Sequence, residues 1–360
     1  MMKNKIKIAV VISIIFSAYM FGRVKKQILD DLNMASSVGY DYIDKHTIKA
    51  TTARPIFKPD KSIGNKIFTA SDELSTQTFS KLSLQSSRQV VNGKLEVALY
   101  SKEVAKHGIG DIVDSLQRDP SISERLFIAV AEEEASEILK KMYGDRDTGA
   151  YLSMLIEQNM EAGLLPTTNL HQFLNAYNSD LKDPFLPLIE QKGEKIHLKG
   201  IALFKDDHYV KSLRNDQQFI FQALLEKIRL GTYKLRLKNK EYAAIENIKT
   251  KNSYRVDNLK KMPEITIQVK VRGIIKEYTG KKTNKKEIDQ IKKQMENQLE
   301  KQAAAMIRSF QKLKIDPLGF GDQVRSRTRN FNHQKWLNQY PDVKIRVNVN
   351  VKILEKGVVD

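Results

Sequence analysis

Val343, Ile345, Val347, Val349, Val351 and Ile353 alternate without a break against Lys344, Arg346, Asn348, Asn350 and Lys352. Successive side chains of a strand point to opposite faces, so this pattern describes a strand with one side packed and the other wet. "EITIQVKVRGII" repeats it, with Ile265, Ile267, Val269 and Val271 set against Thr266, Gln268, Lys270 and Arg272. Something must cover the packed side. Lys285 to Leu313 carries Ile288, Ile291, Met295, Leu299, Met306, Phe310 and Leu313 near three-and-four spacing. At about 1.5 Å per residue such a helix reaches roughly 40 Å, enough to cross a whole sheet. A coiled coil is the rival, but Gln302 and Ala303-Ala304-Ala305 favour packing on a sheet. The C-terminal half is therefore expected to be α+β, an antiparallel sheet covered by one long helix.

Upstream, Asn33 to Ile43 is β-prone, and Pro55 and Pro59 suggest a loop after it. Ser71 to Ser87 suggests a helix and then a loop. "LEVALY" (Leu95–Tyr100) and Arg125–Val130 have the apolar content of buried strands. Ser101 and Asp111 are candidate caps for the helices that follow, the second ending at Asp119-Pro120. Ala131–Met142, Tyr151–Asn159 and Asn169–Tyr177 have helical patterns. Strands alternating with helices make the N-terminal half a mixed α/β region, so the whole chain is expected to be multidomain. Pro184, Pro187 and Gly193 mark the expected boundary. Lys199–Lys205 and His208–Leu213 then form a hairpin about Asp206-Asp207, and Asn215 or Asp216 caps a helix ending at Gly231. The expected organisation is a leader over 1–23, an N-terminal region over 24–195 and a C-terminal domain over 196–360.

The leader is the only long apolar run. Ile8 to Gly22 reads IAVVISIIFSAYMFG after Lys3, Lys5 and Lys7. About 16–17 residues can enter a bilayer, the short end of the spanning range of about 17–25. Cleavage by a signal peptidase wants small residues, and Ser17-Ala18 is a poor match. An uncleaved signal anchor is favoured over a cleaved signal or a buried core helix. Its apolar contacts would be Ile8, Val10, Val11, Ile12, Ile14, Ile15, Phe16, Tyr19 and Phe21, with the rest of the chain outside the cytoplasm.

The 360 residues carry a formal net charge of +18, which favours an anionic neighbour, either nucleic acid or a lipid surface. The lysines are spread along the chain, and no aromatic RNA-binding motif, zinc-finger spacing or basic heptad accompanies them, so nucleic acid is not expected as a partner. There is no cysteine, which excludes disulfides, thiolate metal sites and thiol catalysis.

Enzymatic signatures are lacking. His46, His107, His171, His197, His208 and His333 form no HExxH and no evident ligand cluster. "GIGDIV" at Gly108 lacks the third glycine of a dinucleotide fingerprint and follows a helix. Gly273 and Gly280-Lys281 are too far apart for a phosphate-binding loop. "DRDTG" (Asp145–Gly149) starts like a calcium loop but lacks the later oxygen ligands, so a solvated turn is expected. No serine lies in GxSxG. The expectation is a protein that is not an enzyme and has no cofactor or metal.

Three stretches carry a family resemblance. "LEVALYSKEVAKHGIGDIVDSLQRDPSISERLFIAVAEEEASEIL" (Leu95–Leu139) resembles the N-terminal half of the spore germination receptor C subunits, the Ger(x)C lipoproteins. "KGIALFKDDHYVKSL" (Lys199–Leu213) is similar to the hairpin opening their second region. "KIDPLGFGDQVRSRTRNFNHQKWLNQYPDVKIRVNVNVKI" (Lys314–Ile353) is similar to their C-terminal signature. In that last segment Asp316-Pro317 would end the long helix and Gly319 and Gly321 would permit positive φ around Phe320. Trp336 and Tyr340 would cover the helix end.

The resemblance implies a non-enzymatic subunit of a nutrient germinant receptor, beside integral-membrane A and B subunits, on the outer face of the spore inner membrane. An extracytoplasmic solute-binding protein of a transporter is the alternative. The family usually shows Gly-Cys-Trp-Asp at the end of its leader, with the cysteine lipidated. Here Gly22-Arg23-Val24-Lys25 stands in that place. Arg23 cannot carry a lipid, so the resemblance implies that attachment falls to the apolar leader itself.

Overall fold

A computed structural model of the chain describes residues 32–86, 89–237, 240–259, 261–280 and 284–354, and in the leader residues 7, 12, 13, 16 and 17 alone. The N-terminal elements are β1 (Leu32–Met34), β2 (Ser37–Tyr42), β3 (Ile48–Phe57), β4 (Ile63–Asp72), α1 (Ser75–Leu84), β5 (Gln89–Val91), β6 (Val97–Ser101), α2 (Lys102–His107) and α3 (Gly110–Arg118). They continue with β7 (Phe127–Ala131), α4 (Ala135–Leu139), α5 (Thr148–Glu161), α6 (Leu170–Tyr177), β8 (Phe185–Lys192), β9 (Lys195–Lys205) and β10 (His208–Arg214).

Eight strands form one mixed sheet in the order β10-β9-β8-β7-β6-β2-β3-β4. Its centre, β2-β6-β7-β8, is parallel, and both flanks are antiparallel. Within "LEVALY", Val97 to Tyr100 are all apolar because β6 is buried on both sides. Ala98 and Tyr100 join one core with Val104, Ile109 and Phe173, under α2, α3 and α6. Val97 and Leu99 join another with Ile138, Leu152 and Ile156, under α4 and α5.

Several local expectations are corrected. Pro55 lies inside β3 rather than in a loop. The β2 ladder stops at Ala53, so beyond that point β3 has only β4 beside it and tolerates a residue without an N–H. The stretch with Pro184, Pro187 and Gly193 holds strand β8, and Pro187 precedes the β7 ladder, whose first pair is Val130 with Leu188. Residue 195 therefore falls within the β8–β9 hairpin, where Lys192 pairs with Lys195. The helix expected over Ala131–Met142 is shortened to α4. Asp111 lies within the first turn of α3 instead of capping it.

The chain then forms α7 (Asn215–Leu225), β11 (Tyr233–Arg236), β12 (Tyr242–Asp257), β13 (Glu264–Tyr278), α8 (Lys285–Leu313), α9 (Phe320–Arg325), α10 (His333–Gln339), a short 3₁₀ turn (Tyr340–Asp342) and β14 (Lys344–Ile353). The second sheet has the order β11-β12-β13-β14. Its expected class holds, mixed α+β with one long helix across it. The ladder is antiparallel from β11 to β13, while β14 runs parallel to β13 because α8 carries the chain back to the starting edge. Ile291, Met295, Leu299, Ala303, Met306, Ile307 and Phe310 are buried along one side of α8. Leu313, expected on that side, is 37% exposed, because Lys314 turns left-handed (φ 54°) and ends the helix.

One core joins the two sheets. β9 sends Ala202 and Phe204 to the N-terminal core, and Ile201 and Leu203 to the core that holds α7 and α8. The C-terminal carbonyls of α7 would be orphaned in that core. Asn252 Nδ2 donates to Ala223 O and Leu224 O, and Tyr254 Oη donates to Leu224 O at 2.7 Å.

Candidate functional site

The segment after α8 ties the two sheets together. Gly319 is left-handed (φ 71°), whereas Gly321 has no positive φ and sits inside α9. A Cβ on Gly321 would lie 2.7 Å from Trp336 Nε1 and 3.0 Å from Leu181, so it is close approach that excludes a side chain there. Asp316 Oδ2 accepts from Gly321 N at 2.8 Å. Asp183, in the loop before β8, accepts from Asp316 N at 2.6 Å through Oδ2, and through Oδ1 from Lys205 Nζ and Asp206 N, both at 3.1 Å. Burial pushes the Asp316 carboxyl up to about 7, helped by the neighbouring Asp183 and opposed by the backbone N–H of Gly321. Tyr340 Oη donates to Ile315 O at 2.7 Å, and Gln311 Nε2 donates to the carbonyls of Tyr340 and Val343. Trp336 and Tyr340 thus cover the helix end, as the sequence suggests.

Beside it runs a groove of about 410 Å³. Leu259, Pro263, Phe331 and Trp336 give it apolar walls, and Arg327, Arg329 and Lys335 make it basic. Arg327 is held by Gln323 O at 2.7 Å.

A larger crevice, about 590 Å³, lies outside the carboxyl ends of β2 and β6. There β2 turns back into β3 while β6 leads away into α2, the kind of divergence where open α/β sheets hold ligands. Tyr42 stacks on His107 with ring centroids 3.9 Å apart. Asp44, His46 and Asp111 also line the crevice, and Arg118 Nε is 2.8 Å from Asp114. The His46 backbone N–H holds the Asp44 carboxyl below its ordinary range. Imidazole, carboxylate and guanidinium groups can orient a small polar solute here, and sequence reading missed the site because its walls come from separate segments.

The other singled-out residues have local roles. Asp147 of "DRDTG" caps α5, accepting from Ala150 N at 3.2 Å. His171 lies 3.4 Å from Glu124, His208 2.7 Å from Asp207, and His333 Nε2 meets Asp180 O at 2.9 Å. Among the described residues there is no group of three His, Asp or Glu that could hold a metal. Of the leader contacts, Ile12 and Phe16 are helical and exposed. Ile8, Val10, Val11, Ile14, Ile15, Tyr19 and Phe21, with Arg23, lie outside the described residues. Among those described, no helix is long and apolar enough to cross a membrane.

Comparison with known proteins covers nearly the whole chain. Residues 25–191 match the family described as "Spore germination protein N-terminal domain", and residues 199–357 match "Spore germination B3/ GerAC like, C-terminal". Spore germination protein GerQC of Bacillus cereus is 32% identical over 355 residues, spanning 97% of this chain and 99% of that one. The putative spore germination protein YfkR of Bacillus subtilis (strain 168) is 26% identical over 77% of this chain and 75% of its own. The crystal structure of the GerBC protein shares the fold, with a TM-score of 0.60 at 16% identity, over 88% of this chain and 97% of that one.

Proposed function

The chain belongs to the Ger(x)C family of spore germination proteins, and from that premise we propose that it is the C subunit of a nutrient germinant receptor that triggers germination. The observation that carries this reading is end-to-end correspondence. Both halves match the family in order, and the signature segment supplies the Asp183–Asp316 joint that holds the halves together. The protein acts by assembly with the integral-membrane A and B subunits, not by catalysis.

Its place is the outer face of the spore inner membrane, held by the apolar leader. The absence of cysteine supports this mode of attachment, since no thiol exists to carry a lipid. Mass spectrometry of the membrane-extracted protein should show Ile8 to Gly22 retained and unmodified, and detergent extracts should yield the A and B subunits with it. A product beginning near Tyr19 or Arg23, free of membrane subunits, would refute both parts. The crevice beside Tyr42 and His107 favours one competing reading, a solute-binding protein of a transporter, for which extracts would contain permease subunits instead.

A further inference from the structure

The solvent face of the C-terminal sheet, opposite α8, places like charges directly across from one another. Lys249 pairs with Arg272, and Arg272 with Lys352. In the next outward-facing row, Lys251 pairs with Lys270. All of these cations are exposed, and none has an ion pair among the described residues. Facing strands lie about 4.8 Å apart, and like charges directly opposed destabilise a sheet. A sequence free to choose would put a carboxylate in such a row. At the other end of the same face the arginines do have carboxylates beside them, one row further on, where Arg255 lies 2.9 Å from Asp257 and Arg346 lies 3.6 Å from Glu264. Between the two ends is a neutral row, Ser253, Gln268 and Asn348.

We propose that the Lys249–Arg272–Lys352 and Lys251–Lys270 rows are a docking surface for an anionic lipid bilayer. A protein interface is disfavoured by composition. Interfaces are depleted in lysine and built round aromatic or apolar anchors, and these rows present none. Single-stranded nucleic acid is disfavoured for want of aromatic platforms. Headgroups need neither. Mobile anions adapt to any pattern of cations, and each nearby Lys or Arg contributes to the attraction independently. Docking would lay the second sheet along the bilayer and fix how the remaining surfaces are presented. The proposal takes the nearness of a membrane from the function proposed above, and its test separates the two.

Asn350→Cys, in the Lys251–Lys270 row, introduces the sole thiol of the chain and can carry a donor fluorophore. Full-length protein is mixed with vesicles bearing a headgroup acceptor, made either of phosphatidylcholine or of equal parts phosphatidylcholine and phosphatidylglycerol. Energy transfer should be greater with phosphatidylglycerol and should fall to the phosphatidylcholine level at about 1 M salt, where the screening length is about 3 Å. Lys251→Gln should lower the ratio of docked to undocked protein about fivefold. The triple variant Lys251→Glu/Lys270→Glu/Arg272→Glu should abolish the difference while melting no lower than the parent. Equal transfer from both vesicles, or an undiminished difference in the triple variant, would overturn the proposal. So would capture of a DNA duplex on this face without any preference for phosphatidylglycerol. If the protein does not float with phosphatidylcholine vesicles, the leader is not an anchor. Flotation with phosphatidylglycerol then reads the face by itself, and its absence refutes the docking surface as well.

Discussion

Asp316 has a carboxyl whose proton is held by burial, and Oδ1 has no partner among the described residues. Folded, it keeps the proton up to about 7, whereas the unfolded carboxyl loses it near 3.8. Between those values the folded state binds more protons, so this group's contribution to stability falls as pH rises. Asp316→Asn keeps an acceptor for Gly321 N and removes the titration. The variant should be more stable than the parent at about pH 8, on the order of 2–4 kcal/mol, with the gain vanishing below about pH 4. Urea midpoints across that range would check it, and a difference independent of pH would contradict the assignment. The nearby glycines are constrained for different reasons. Gly319→Val forces a branched residue into φ 71° and should cost about 1–3 kcal/mol. Thermal melts should show it, with protein depleted rather than selectively inactive. Normal abundance and stability with lost germination would make this turn a contact site instead.

At the scale of elements, legibility follows periodicity. α8 spans the residues its apolar spacing indicates, and β13 and β14 keep the expected sides inward, because each element has one packed face and one wet face. Leu299 is fully buried at the centre of that helix, so Leu299→Ala should cost about 2–5 kcal/mol. Chemical denaturation measures it, and a loss no larger than that of an exposed leucine such as Leu337 would deny that α8 is the lid of this sheet. What stayed hidden is where the chain meets itself. The N-terminus of α3 is satisfied by Asp207, 97 positions away, and that of α4 by Asp41, 94 positions away. No local pattern at Asp111 or Ala131 could announce caps supplied by a distant turn and a distant strand. The crevice beside His107 was hidden for the same reason, since Tyr42 and Arg118 come together only through the sheet order. The parallel setting of β14 likewise depends on the path taken by α8.

At the scale of the molecule, two sheets share a core through β9 and α7, and the Asp183–Asp316 joint locks the turn between β9 and β10 to the end of α8. Such a body suits a protein that acts by presenting surfaces. Its effect should therefore be confined to receptor-dependent signalling. The most direct measurement is germination of spores that lack this protein, followed with the receptor's nutrient and with a germinant that bypasses receptors. Such spores should respond poorly to the first and normally to the second, and the intact chain should restore the first. Spores responsive to every nutrient, in a strain whose growing cells have lost uptake of a solute, would contradict the receptor role.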